Sequence, residues 1–231
     1  HATSVGSFET ISTGFVLAQL ALAEEPLRPS ELIVFANCAP RKDLRDARHN
    51  NEGEGLLFAR LQNGVGVLAV NSGYSMSFVR DEISELWSVQ VDTGGSQFRS
   101  RDNFPRVIGQ LAHQDHSFFW HKLDPSEVVP APPAESVGYI DSFGNLKTTF
   151  RDGDPFLASL KPGQRLRVTI GGIIRTATVA AGSFNVMEGD LAFAPGSSGH
   201  TRRFWEFFQR GGSASSEFGK PAVGTKISLS I

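Results

Sequence analysis

Apolar residues recur in two different rhythms along this chain, and the change of rhythm divides it. Residues 13–25, TGFVLAQLALAEE, set apolar groups around most of a helical surface. Ala, Leu and Glu favour that form, and Pro26 and Pro29 end it. Residues 31–36, ELIVFA, and 64–70, GVGVLAV, are short continuous apolar runs of the kind found in strands buried on both faces. Residues 43–60 carry Leu44, Leu56, Leu57 and Phe58 among charges and predict a helix interrupted between Asn50 and Gly55. Residues 101–113, RDNFPRVIGQLAH, predict an amphipathic helix with Pro near its first turn. Strands alternating with helices predict an α/β domain over residues 1–123, with a largely parallel sheet and flanking helices.

Residues 124–136, DPSEVVPAPPAES, break the pattern with four prolines and predict a stiff, extended linker. From Val137 the rhythm is strand-like. Runs at 137–150, 165–170, 173–180, 190–194 and 226–231 are separated by the Gly-rich turns KPGQ, GG, EGD and GSSGH. Such spacing predicts an all-β, barrel-like or sandwich domain over residues 137–231. The segment RRFWEFFQR, 202–210, fits either a helix or a strand.

The 231 residues carry a formal net charge of −2 with 40% hydrophobic residues, the composition of an ordinary globular protein. Near-neutrality gives no electrostatic case for a nucleic-acid partner, and no apolar run approaches membrane-spanning length. Eighteen Phe against two Tyr favour filled apolar cores. One cysteine, Cys38, forms no internal disulfide and leaves the compartment unread. His1 stands where an initiator Met would, so a processed end is expected.

The stretch most charged with chemistry is VGYIDSFGNLKTTF, residues 137–150. An apolar strand there runs into Asp141, Phe143, Gly144 and Asn145. A carboxylate acceptor, a ring, a permissive backbone and an amide with both donor and acceptor make a nucleoside cradle. The same residues also make an ordinary hairpin whose Asp and Asn cap their own turn.

The order I-D-x-F-G-N followed by a Thr-containing strand resembles the S-adenosylmethionine hydroxide adenosyltransferases, a family that includes the fluorinating and chlorinating enzymes acting on the same substrate. Other stretches resemble it in order: GVGVLAVNSG, FRSRDNFPRVIGQLA, VMEGDLAFAPGSSG and RGGSASSEFGKPAVGTKISL. The resemblance implies binding of S-adenosylmethionine, with no further cofactor and no metal. Water or halide attacks the ribose C5′ and methionine leaves from the sulfonium. It implies a homotrimer, each site lying between one subunit's first domain and its neighbour's barrel, and favours the cytoplasm.

Carried over by position, Asp141, Phe143 and Asn145 fall where the family holds the methionine amino group, stacks on adenine and hydrogen-bonds its edge. Ser198 falls beside the methionine carboxylate, and Gly211 where a backbone group meets adenine. Ser7 takes the place of the ribose-binding Asp, with Glu9 as its substitute. The catalytic Asp becomes Asn71, its Arg partner falls on Phe78 near Arg80, and the His becomes Arg99. Asn is no carboxylate, and a permanently charged Arg makes a poor base. Water would be positioned only by Asn71, Ser75 or Ser77. An inactive adenosine-binding module is the alternative, and an unrelated hydrolase built on the 71–77 loop the second.

Other groups weigh less. His113, Asp115, His116 and His121 have zinc-like spacing but read as surface histidines after a helix. Ser75 follows a buried strand as a nucleophile elbow would, without the final Gly. Cys38 reads as a packed small residue. Arg202, Arg203 and Arg210 among aromatics read as a packed amphipathic element, with base stacking as the alternative.

Overall fold

Asn63 and Gly64 decide the first half of the molecule. In the computed structural model they turn the chain between β2 (Leu56–Leu61) and β3 (Gly66–Val70). Gly64 takes φ +90°, the Leu61 N–H donates to the Val65 carbonyl at 2.9 Å, and the Asn63 side chain accepts from the Val65 N–H at 3.0 Å. An Asn-Gly pair between apolar runs is the strongest short hairpin signal, and it forces antiparallel pairing. A parallel crossover needs a dozen residues or more.

The structure describes residues 3–22, 29–38, 54–92, 98–182, 185–199 and 201–231, and divides into two compact units, 1–131 and 132–231. The division falls inside the Pro-rich stretch.

The first unit holds helix α1 (Thr10–Ala21) and a five-stranded sheet in the order β1-β3-β2-β4-β5, where β1 is Ile33–Ala36, β4 Ile83–Val89 and β5 Phe119–Leu123. Among the described residues only β1 and β3 pair in parallel in this sheet; β2–β3, β2–β4 and β4–β5 are antiparallel. The expectation of a helix-flanked, largely parallel α/β domain is therefore overturned. The helix expected over 43–60 is a strand from Leu56 onward, and residues 39–53 lie outside those described. The reason is physical. A continuous apolar run, here buried along almost its whole length, reads alike as a buried strand or a buried helix. Strands β4 and β5 escape notice because Ser84, Glu85, His121 and Lys122 leave them little apolar alternation.

The helix expected at 101–113 is broken at Asn103 into α2 (Arg99–Asp102) and α3 (Phe104–Ala112). Phe104, Val107 and Leu111 of α3 join Leu56, Phe58, Leu68 and Val89 in the main core of this unit. On α1, Phe15 meets Phe78 edge-on, with ring centroids 5.8 Å apart. Gly14 lets the helix approach so closely that a β-carbon would stand 2.2 Å from the Tyr74 carbonyl. Part of the stretch expected to be extended forms a helical turn, α4 (Pro125–Val128), capped by Asp124.

The second unit is a half-barrel of seven strands in the order β12-β8-β9-β10-β11-β7-β6. They are β6 (Val137–Ile140), β7 (Leu146–Arg151), β8 (Arg165–Ile170), β9 (Ile173–Val179), β10 (Leu191–Pro195), β11 (Phe204–Gln209) and β12 (Ile227–Ser230). All neighbours are antiparallel except β9 and β10. The 202–210 segment is thus a strand. Two short helices, α5 (Pro155–Ala158) and α6 (Ala214–Glu217), begin at the capping residues Asp154 and Ser213. Leu146, Leu166, Val168, Phe193 and Phe207 fill the inside. A smaller cluster of Ala180, Val186, Ala192, Ala194 and Phe208 lies on the other face of β10 and β11.

Candidate functional site

The β6–β7 hairpin turns on Asp141. Its carbonyl accepts from the Gly144 N–H at 3.0 Å, and its Oδ1 accepts from the N–H groups of Phe143 and Asn145, each at 3.0 Å. An Asp that bonds its own turn in this way presets the loop. Gly144, at φ +78°, supplies the left-handed residue such a loop needs. The turn is also docked: the Gly144 carbonyl accepts from the Ser215 N–H at 2.8 Å, at the start of α6.

The remaining oxygen, Oδ2, accepts from the Asn145 side-chain amide at 2.9 Å and lies 3.5 Å from the Lys147 ammonium. Lys147 also pairs with Glu206, which sits opposite it in the β7–β11 register. The three charged side chains are only 12–19% exposed, so solvent screens them weakly.

Beside this network lies a cleft of about 540 Å³. Phe143 and Asn145 line it together with the polar groups of Glu206, Gln209 and Arg210 and with Gly211 and Gly212. Phe208 and Pro195 add apolar lining, and Phe208 belongs to the small cluster on that face of the sheet. The Phe143 ring is 78% exposed, so it contributes little to the core and stands free to stack. Gly211 takes φ +74°, and a β-carbon there would meet the Glu188 side chain at 3.0 Å. The Arg210 guanidinium donates to the Val186 carbonyl at 2.8 Å, which fixes its direction. An aromatic face, an oriented amide and apolar lining are what a planar heterocycle requires.

Of the sequence-derived positions, Phe143, Asn145 and Gly211 line this cleft, and Asp141 orders the side of it. Ser198 lies in the β10–β11 loop, buried, with no hydrogen-bond partner for its hydroxyl among the described residues. Glu206, Gln209 and Phe208 were not foreseen. The signal for Glu206 is a lone acid in the aromatic strand FWEFFQ, matched by Lys147 on the strand after the D-x-F-G-N turn. Of the three arginines near those aromatics, Arg210 lines the cleft, whereas Arg203 pairs with Asp152 at 3.0 Å.

The other positions belong to the first unit, and Asn71, Ser75 and Ser77 follow the carboxyl end of β3. Asn71 is exposed there, while Ser75 and Ser77 are buried. The Ser75 hydroxyl lies 3.1 Å from that of Ser72, which donates to the Cys38 carbonyl; the Ser77 hydroxyl has no partner among the described residues. Ser7 and Glu9 precede α1 and are exposed. The Glu9 carboxylate accepts from the Ser12 hydroxyl at 2.8 Å. A β-carbon on Gly73 would fall 2.6 Å from the Thr10 hydroxyl, so the β3 loop and the start of α1 form one polar rim. Arg99 opens α2, and its side chain lies outside the described residues.

The histidines are spread out. The His116 ring stacks on Phe119 with centroids 4.9 Å apart, and His121 sits on β5 with its backbone tied to Ser88. Hydrogen bonds from Ser117 and Gln110 hold the Asp115 carboxyl below its usual range, and they occupy it within its own loop. Among the described residues no three His, Cys, Asp or Glu side chains gather as a metal site would require.

No protein-family model and no curated protein matches the chain. Solved structures do. An uncharacterized conserved protein from Thermotoga maritima aligns with a TM-score of 0.74 at 22% identity, over 98% of this chain and 86% of its own. A conserved hypothetical protein from Thermus thermophilus aligns with a TM-score of 0.62 at 19% identity, over 100% of this chain and 85% of its own. The fold is shared along the whole chain, and at this identity the likeness speaks of fold alone.

Proposed function

We propose that this protein binds an adenine nucleoside, S-adenosylmethionine or adenosine, in the cleft of its half-barrel unit. The observation that supports this is the exposed Phe143 ring beside an Asn145 amide whose nitrogen is held by Asp141. Base–aromatic stacking contributes about 1–3 kcal/mol in sites of this kind. An amide with one N–H committed still offers an oxygen to the adenine amino group and an N–H to a ring nitrogen. Glu206 and Asp141 share a single Lys147, and the carboxylates suit a sulfonium or ammonium nearby.

Binding is the primary activity in this reading. Cleavage would join water to the ribose C5′, break the C5′–sulfur bond and release adenosine, methionine and a proton. Asn71 has no carboxylate to receive that proton, so turnover is expected to be slow or absent. We propose further that the protein assembles as a homotrimer, the Ser7–Glu9–Asn71 rim of one copy facing the cleft of the next.

Calorimetry of the purified protein with adenosine and with S-adenosylmethionine tests the reading, alongside Asn145→Ala. Heat with either ligand, lost in the variant, supports it. Silence with both ligands, or equal affinity in the variant, removes it. Chromatography of the incubated mixture measures adenosine release, and light scattering measures the assembly.

A further inference from the structure

The hydrogen bond between the Asn145 amide and Asp141 does more than close a turn. An ionised carboxylate only accepts, so the Asn145 atom 2.9 Å from the Asp141 Oδ2 is the nitrogen. The amide cannot turn over without setting its oxygen against that carboxylate. Its own oxygen therefore keeps one orientation, on a residue that lines the cleft. Asp141 is held in turn: its Oδ1 accepts two backbone N–H groups, and Lys147, itself gripped by Glu206, stands 3.5 Å from its Oδ2.

We propose that Asp141 is a positioning residue that makes the cleft select 6-amino purines over 6-oxo purines. The inference rests on the adenine-nucleoside reading and deepens it. The Asn145 oxygen can accept from an exocyclic amino group. A 6-oxo purine presents an oxygen and an N–H in the opposite order, so two acceptors would face each other. A site built for one pattern leaves polar groups unpaired with the other.

The isosteric change Asp141→Asn reverses the logic while sparing the turn. The new side-chain oxygen can still accept the N–H groups of Phe143 and Asn145. Its NH2 then replaces the Oδ2 acceptor and asks for the Asn145 oxygen. Asn145 turns over and offers an N–H where it offered an oxygen. Adenosine and inosine are suitable probes, because neither carries a charged tail for Asp141 or Glu206 to hold.

The test is calorimetric titration of the native protein and of Asp141→Asn with adenosine and with inosine. The native protein is expected to favour adenosine by at least about tenfold, the factor an unpaired buried group costs. In Asp141→Asn the preference is expected to shrink or reverse. Lys147→Met, which removes the ammonium but not the carboxylate, keeps the native order and serves if Asp141→Asn proves unstable: a reversal in it would overturn the role given to Asp141. Equal affinity of the native protein for both nucleosides would overturn the inference and leave adenine binding standing. An unchanged adenosine preference in Asp141→Asn would do the same. Binding of neither nucleoside by the native protein would remove the nucleoside reading itself.

Discussion

Replacing Gly144 by Ala tests how the D-x-F-G-N turn is held. The new β-carbon would stand 2.1 Å from the Ser213 hydroxyl oxygen and 2.9 Å from its β-carbon. Something must shift, and the backbone must also keep φ +78° with a side chain attached. The left-handed conformation costs Ala about 1–2 kcal/mol. Ser213 caps α6 by accepting from the Ser216 N–H at 3.2 Å, and pushing it aside forfeits about 1 kcal/mol. Strain on the Ser215 to Gly144 hydrogen bond adds about 0.5–1 kcal/mol. The total is roughly 3 kcal/mol, or a fall of about 10–20 °C in the melting temperature of a unit this size.

Gly153→Ala is the matched control. It too has a positive φ, +95°, but a β-carbon there meets nothing within 4 Å. Its cost should be the backbone part alone, about 1–2 kcal/mol. Urea denaturation of both variants, with hydrogen exchange over 141–147 and 213–218, measures the difference. Adding Ser213→Gly to Gly144→Ala should recover part of the loss, because Gly caps nearly as well as Ser. If Gly144→Ala is no worse than Gly153→Ala, the turn does not lean on α6, and the account of how Phe143 and Asn145 are placed fails.

Phe143→Ala should weaken adenosine binding by about tenfold or more through lost stacking, with an unchanged melting temperature, since the ring is 78% exposed; calorimetry and a thermal melt check both halves. Burial raises the Asp152 pKa, but hydrogen bonds from the Trp205 indole at 2.8 Å and the Arg203 guanidinium outweigh it and hold the carboxyl below its usual range. Its contribution to stability is therefore full above about pH 4 and fades as pH falls through the lowered value. Urea midpoints of native protein and Asp152→Asn should differ at pH 7 and draw together as pH falls below the usual carboxylate range; a constant gap would refute this. Asn63→Ala should cost about 1 kcal/mol, because its side chain also donates to the Ala21 carbonyl at the end of α1 at 2.8 Å. Equilibrium denaturation of that variant reads the loss directly.

What the chain discloses before it folds differs between its halves. Strands β8 and β9 are visible because Leu166, Val168 and Ile170 alternate with polar residues and Gly171-Gly172 turns the chain. The register of β7 against β11 is not visible, and that register alone brings Glu206 to Lys147. Asp141, Phe143, Asn145 and Gly211 stand out as chemistry, whereas Gln209 and Phe208 gain meaning only once β11 is a strand beside the cleft. In the first unit the apolar runs are legible but their direction is not. Asn63-Gly64 carries that information, because a tight turn there admits a hairpin and no crossover. Short strands with exposed Glu85, His121 and Lys122 left too little pattern to restore the balance.

The ends of β6 and β12 meet at one bridge, Ser136 to Lys226, and the Val137 N–H donates to the Thr225 carbonyl at 2.9 Å. The outermost strands of the seven-stranded sheet thus satisfy part of each other's backbone. An unpaired row of donors and acceptors invites a second chain to add to it and so seeds aggregation. Here the first and last strands of the unit guard one another where they touch, with Lys226 at the point of contact.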